Sequence, residues 1–388
     1  MNDTQKKLLQ HISSVLFQVT VNETVTEDEI REAEVQAVLG MLPLGSDKRL
    51  LQLVAQNVNI KYMHSWLHVL MASAGIPYCT LKGVTSAAFY PSPLLRTMGD
   101  VDFIVRKEDL NRANEVMEQV GCTKKQVLHD HHYTFFKDGI MFELHWEAPG
   151  VPEDKPKVAE LLDDLIDEAE MKDGCMQATT FHHGLILLLH TGEHMLNKGI
   201  GLRHLCDWAV FEASFSDGEF RDLFEENLKA AGLWRFAQLL SLTSAKFLSA
   251  PKRPWMGEAE AELLTGIMDD ILDAGNFGIK DKERINQAKL LTDRSSRSVG
   301  SAGVVRQFCR TMTEKALFEW PLCKEHKILL PVGWVYISAR HVMRIRRGKR
   351  PQLHLASMLS GAQKRRKIYQ EFRLFSVLNE EQRQEKKK

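Results

Sequence analysis

An α+β fold is predicted for this chain: a small sheet held between helical segments on both sides. Three observations carry the prediction. Apolar residues recur at helix spacing over roughly residues 1–70, strand-like alternation is confined to about 70–150, and helix spacing returns from Pro156 onward. The expected segments are 1–69, an N-terminal helical segment; 70–150, the sheet-bearing core; 151–338, a helical C-terminal domain; and 339–388, a basic tail. A chain of 388 residues is long enough for two or three such units, each with a real core.

Leu8, Ile12, Val15 and Leu16 mark the first helix, and Thr26 with Glu29 reads as a capping box ahead of Ile30, Ala33 and Ala37. A third helix is expected from about Asp47 to Ala74. The pattern then changes. Ile76 to Leu81 reads as a short buried strand ended by Lys82-Gly83, and Val84 to Tyr90 as a short helix stopped by Pro91 and Pro93. Val101 to Val105 fits a second strand, with Val101, Phe103 and Val105 on one face and Asp102 and Ile104 on the other. Lys107 to Val120 is helical. Tyr133–Phe136 and Ile140–Trp146 flank Lys137-Asp138-Gly139, which predicts a hairpin. Further helices are expected at Val158–Glu170, His182–Asn197, Leu202–Ala213, Arg221–Ala231, Trp234–Leu248, Glu258–Ala274, Val304–Phe318 and Ile337–Arg347.

Composition excludes several classes. With 44% hydrophobic and 26% charged residues and 12 prolines, the chain is neither disordered nor collagen-like. Six scattered cysteines without a C-x-x-C pair argue for free thiols in a reducing compartment rather than a disulfide frame or zinc knuckle. The opening MNDTQKKLLQHISS has no apolar signal core, and the longest apolar runs fall short of the ~20 residues that span a bilayer. A cytoplasmic location is expected. The 51 Lys+Arg balance 51 Asp+Glu, yet residues 339–388 hold 15 Lys/Arg against 4 Asp/Glu, so a basic tail offsets an acidic body. Trp334 and Tyr336 precede a helix with Arg340, Arg344 and Arg347 on one face and Val335, Val342 and Ile345 largely on another. That arrangement, with Lys364–Lys367 and Lys386–Lys388 beyond it, suits weak contact with an anionic membrane or nucleic acid, or simply a solvated terminus.

The chemistry concentrates between Leu81 and Trp146. On a strand, Asp100 and Asp102 project to the same face, and two hard oxygen donors side by side suit Mg²⁺ with substrate phosphates. A D-x-D pair also arises by chance in solvated loops. Gly83 follows a strand and opens a helix, where backbone N–H groups approach an anion closely. Glu143 supplies a third carboxylate and shares a face with His145, although Glu147 competes for the same role and His145 also fits a half-buried imidazole tied to backbone. Arg96 and Lys82 are candidate phosphate cations, with a salt-bridge residue and a solvated strand end as the plainer readings. His129, His131 and His132 lack cysteine partners and fit a loop better than a closed zinc site. His190 and His194 share a helix face that could hold a metal but lacks the glutamate of a zincin, so packing or substrate contact is the expected role, and Arg203 with Asp207 fits an ordinary i,i+4 pair.

Together Leu81-Lys82-Gly83, Tyr90-Pro91-x-Pro93-x-x-Arg96, Gly99-Asp100-Val101-Asp102 and Glu143-Leu144-His145-Trp146 resemble the DNA polymerase β superfamily of nucleotidyltransferases, and within it a largely uncharacterised bacterial group. Later segments resemble the same group: His190-x-x-x-His194, Leu202-Arg203-x-Leu205-Cys206-Asp207, Gly275-Asn276-Phe277-Gly278 and Pro331-x-Gly333-Trp334. The resemblance spans roughly 70–335. It implies a polymerase β-type sheet and a Mg²⁺- or Mn²⁺-dependent transfer of a nucleoside monophosphate from an NTP, ATP among them, to a hydroxyl acceptor that the sequence does not identify. Asp100, Asp102 and Glu143 would be the catalytic and metal-holding carboxylates; Lys82, Gly83, Thr85, Arg96 and Gly99 would meet the nucleotide. One departure matters. The superfamily usually carries Gly-Ser or Gly-Gly at the turn, whereas Gly83 is followed by Val84, so Thr85 is the expected source of a hydroxyl. The alternative is a non-catalytic binding or scaffold protein on the same fold.

Overall fold

The computed structural model describes residues 1–125, 132–281, 322–346 and 365–376, with scattered positions between 284 and 320. Three helices lead: α1 (Asp3–Phe17), α2 (Glu27–Val35) and α3 (Lys48–Ser73). The expected capping box closes the start of α2, where the Thr26 hydroxyl accepts from the Glu29 N–H and the Glu29 carboxylate accepts from the Thr26 N–H.

Seven strands make one mixed sheet, β1 (Tyr78–Thr80), β2 (Asp100–Val105), β3 (Thr123–Lys124), β4 (His132–Lys137), β5 (Ile140–His145), β6 (Glu170–Lys172) and β7 (Cys175–Gln177), in the order β3-β4-β5-β2-β1-β7-β6. Between them lie the single turn α4 (Val84–Ala87), α5 (Leu110–Gln119) and α6 (Pro156–Glu160). The β4–β5 hairpin forms where the sequence places it. Asp138 (φ 50°) and Gly139 (φ 77°) make a two-residue turn with both φ positive, the twist that matches flanking strands.

Two expectations change. Val158–Glu170 does not form one helix: α6 stops at Glu160, and β6 and β7 extend the sheet to Gln177, with β7 parallel to β1. Three-residue strands are too short to show a period, and β6 is exposed along its whole length, so no apolar alternation announces it. The helix after Gly83 is only four residues long, well short of Tyr90, which leaves little aligned dipole to favour an anion.

Alternation along β2 and β5 assigns the two sheet faces. Val101, Phe103, Val105, Phe142 and Leu144 pack with Ile60, Met63 and Leu67 of α3 and with Ala113 and Met117 of α5. The opposite face, carrying Asp100, Asp102 and Ile104, turns toward a helical domain of α7 (Thr180–Asn197), α8 (Leu202–Ala213), α9 (Asp217–Ala231), α10 (Trp234–Leu248) and α11 (Ala261–Ala274). Apolar on nearly every side, α7 is buried at the centre of that domain, with Leu185, Ile186, Leu188 and Leu189 almost fully covered.

The basic tail is not wholly solvated. Residues 365–372 are helical, and Tyr369, Phe372, Leu374 and Phe375 join the core of the helical domain. The Tyr369 hydroxyl lies 2.8 Å from both the Met195 carbonyl and the Asp270 carboxylate, and the Phe372 ring packs 5.1 Å from that of Phe236. Arg365, expected in a solvated cluster, is buried. Upstream, a helix spans Leu330–Arg346 and exposes Val335 and Tyr336. Most of the expected helix Val304–Phe318, and residues 347–364 and 377–388 of the tail, lie outside the described residues. Cys79, Cys122, Cys175, Cys206 and Cys323 are all buried free thiols, and no helix among the described residues is long and apolar enough to cross a membrane.

Candidate active site

Strand register builds the site. β2 and β5 run parallel with Asp102 opposite Glu143, and β4 and β5 run antiparallel with His132 opposite His145, so one sheet face carries Asp100, Asp102, Glu143, His145 and His132. One ligand oxygen from each of Asp100, Asp102 and Glu143 falls within 4.8 Å of the others. Glu143 therefore points to the same place as the aspartates. His145 joins them: its Nε2 lies 3.1 Å from Asp102 Oδ1 and 3.6 Å from Glu143 Oε2, so the ring is tied to carboxylates rather than to backbone.

The electrostatics follow from crowding three acids on a face where Asp102 is buried and Asp100 and Glu143 are half-buried. Burial, reinforced by the neighbouring Asp102 charge, pushes Asp100 up to about 6. Asp102 is the more deeply buried of the two, but the Lys82 ammonium and the His145 ring outweigh burial and hold it well below the usual carboxylate range. Burial alone would lower Lys82 and His145. Asp102 foremost reverses both, through its charge at Lys82 and its hydrogen bond at His145, and holds them above their ordinary values.

Lys82, two residues beyond β1, donates to Asp102 Oδ2 and to His190 Nε2, each at 3.0 Å. Because an ammonium has only hydrogens to give, His190 Nε2 is an acceptor there, and His194 Nε2 lies 2.8 Å from the same nitrogen. Gly83 takes φ 66° and ψ −107°, a conformation open to glycine, and lines the cleft. Gly99 also lines it, and a Cβ there would meet nothing within 4 Å. Thr85 does not. Its hydroxyl is buried without a partner away from the cleft, while the neighbouring Ser86, equally unpartnered, lies on the cleft wall.

Arg96 lines the cleft with its charge committed elsewhere. Its Nε and Nη2 donate to the two Asp207 oxygens at 2.7 and 2.6 Å, and the Tyr90 hydroxyl adds a bond of 2.6 Å to the same carboxylate. The expected Arg203–Asp207 helix pair is thus replaced by a tie between the sheet side and α8. Arg203 instead donates to the Thr97 carbonyl at 3.2 Å, sits over the Phe277 ring and lines the cleft with its Nε unpartnered. In the sequence, Arg203 and Phe277 lie in segments that resemble the family group and carry no sign of the cleft, whereas His190, for which packing or substrate contact is expected, does line it. Of the histidine-rich loop, only His132 lies among the described residues, 3.7 Å from Glu143. A separate group, Asp164, Glu168 and His182, gathers elsewhere, with His182 Nε2 2.9 Å from Asp164.

A mixed sheet thus turns three carboxylates and, just past β1, Lys82 toward a helical domain that brings Arg203 to the same cleft. Residues 28–249 match the family described as uncharacterised nucleotidyltransferase, more than half of the chain, and the protein belongs to that family. The class of reaction is nucleotidyl transfer. The match begins within α2, earlier than the 70–335 span of the motifs, and ends before Gly275–Gly278. No curated protein and no solved structure matches the chain.

Proposed function

We propose that the chain is a Mg²⁺-dependent nucleotidyltransferase that moves a nucleoside monophosphate from an NTP to a hydroxyl acceptor and releases pyrophosphate. The carrying observation is the convergence of Asp100, Asp102 and Glu143 on one point beside Lys82. The donor set fits the ion: three carboxylates and no thiolate make a hard-oxygen site, which favours Mg²⁺ or Mn²⁺. Bound there, the ion would supply charge neutralisation at the transferring phosphoryl group.

The chain's own residues do the rest. Lys82 and Arg203 are the cations for phosphate oxygens, in place of Arg96, whose role is to fix the Arg96–Asp207 tie. Gly83 and Gly99 let a polyphosphate approach backbone, and Ser86 offers the hydroxyl expected of Thr85. Glu143 accepts the proton of the acceptor hydroxyl, while His145 holds Asp102 and Glu143 in position. Incubation of the full chain with α-labelled NTPs and a pool of cell-extract acceptors tests the reading. Mg²⁺-dependent incorporation, lost on changing Asp100 and Asp102 to Asn, is expected; undiminished incorporation by that double variant would refute the assignment.

A further inference from the structure

Phe277 occupies a backbone position that suits glycine. It adopts φ 54° and ψ 32° inside Asn276–Gly278, between Gly275 at φ 65° and Gly278 at φ 72°, so a bulky side chain is held in the left-handed region. Neighbouring chain leaves the turn little freedom: a Cβ on Gly278 would lie 2.2 Å from the Lys198 carbonyl oxygen. The ring does not repay this by burial. It stays 39% exposed at the cleft wall, with ring centroids 4.9 Å from His194 and 5.3 Å from His204 and the Arg203 guanidinium 5.5 Å away.

His204 supplies an independent observation. It is 4% exposed, lines the same cleft, and neither ring nitrogen has a partner. Buried polar groups are ordinarily satisfied, so two orphaned nitrogens on a cleft wall point to a ligand with hydrogen-bonding edges. Burial, and then the Arg203 charge, hold this imidazole well below its ordinary value, so it is neutral and offers one donor and one acceptor.

We propose that Phe277 and His204 form the subsite for the nucleobase of the NTP: the base stacks on the exposed ring of Phe277 and His204 meets its edge. The inference rests on the nucleotidyltransferase reading and deepens it. Position supports it, since His190 links this wall to Lys82 and so to Asp102, with His190 and His204 rings 5.8 Å apart and stacked. A base on Phe277 would have its phosphates toward the carboxylates. Phe277 lies beyond the family match, which ends at 249, whereas His204 lies within it.

The test compares two probes on the full chain with Mg²⁺ present: each of the four NTPs, and inorganic tripolyphosphate, which has the charge without the base. Phe277→Leu should weaken NTP binding roughly ten- to hundredfold, as base–aromatic stacking is lost, and leave tripolyphosphate binding unchanged; Phe277→Tyr should retain NTP affinity. Phe277→Gly suits the backbone, so it should fold with an undiminished melting temperature and show the same selective loss. His204→Ala should change the ranking among the four NTPs. Equal loss of both probes in Phe277→Leu and Phe277→Gly, or no loss of either, would overturn the subsite while leaving the nucleotide reading standing. A wild-type chain that binds neither probe would overturn both.

Discussion

The Lys82 ammonium lies 3.0 Å from Oδ2 of Asp102 and is the first cation to compensate that buried carboxylate. Removing one member of a buried pair leaves the other uncompensated, at a cost of about 3–5 kcal/mol. Lys82→Met should therefore destabilise the protein by about that amount without divalent cations. If the carboxylates hold a metal, Mg²⁺ should raise the melting temperature of Lys82→Met more than that of wild type. Equal Mg²⁺ shifts in the two proteins would argue against a cation site beside Lys82.

Arg96 and Asp207 are bidentate, buried and far apart in sequence, so they join the loop before β2 to α8. Asp207→Asn should cost about 3 kcal/mol or more in urea unfolding. Arg96→Lys should fail to restore stability, because an ammonium cannot reproduce the two-pronged contact. A free phosphate-binding arginine would behave otherwise, giving a stable variant with weakened nucleotide binding.

Glu212 is fully buried in α8 with neither carboxylate oxygen partnered, and burial pushes its carboxyl up to about 8, moderated by Arg253. The unfolded chain releases this proton near 4.5. Between those values the folded state binds more protons than the unfolded one, so the group's contribution to stability falls as pH rises from about 4.5 to about 8. At neutral pH the penalty is about 3 kcal/mol. Glu212→Gln should recover about 1–3 kcal/mol at pH 7.5, gain little at pH 4.5, and flatten the decline in urea midpoint between them. An unchanged pH slope would mean that Glu212 is ionised in the folded protein.

Tyr369 ties the C-terminal helix to α7 and α11 through Met195, Asp270 and Arg284. Tyr369→Phe leaves those buried groups a partner short and should cost about 1–3 kcal/mol. Truncation after residue 364 should cost more, because Phe372, Leu374 and Phe375 leave the core with it. Thermal melts of the two variants check this. A truncated protein with the wild-type melting temperature would return the segment to the status of a solvated tail.

Local features of the fold and site are legible in the sequence, and those set by distant partners are not. Asp100 and Asp102 were legible because a period of two is local, and the β4–β5 turn because Asp-Gly carries its own conformational signature. Helices α7, α8 and α10 were legible because they are long and periodic. Arg96 reads from sequence as either a phosphate cation or a salt-bridge residue, and only the fold, which brings Asp207 from a distant element, decides for the salt bridge; the same distance makes Arg203 look like half of a helix pair. His145 was read as backbone-tied because the register with β2, which brings it to Asp102, is a property of the sheet rather than of either strand. The tail's charge suggests either an anionic partner or a solvated terminus, yet Tyr369, Phe372 and Phe375 place its helical part in the core.

Metal-dependent nucleotide binding is the most direct test of the central claim that Asp100, Asp102 and Glu143 form a divalent-cation site for an NTP. Titration of a fluorescent NTP analogue into the full chain, with and without Mg²⁺, should show affinity at least tenfold higher with the ion, and the advantage should vanish when Asp100 and Asp102 are both changed to Asn. Equal affinity with and without Mg²⁺ in wild type, or an undiminished Mg²⁺ effect in the double variant, would contradict it.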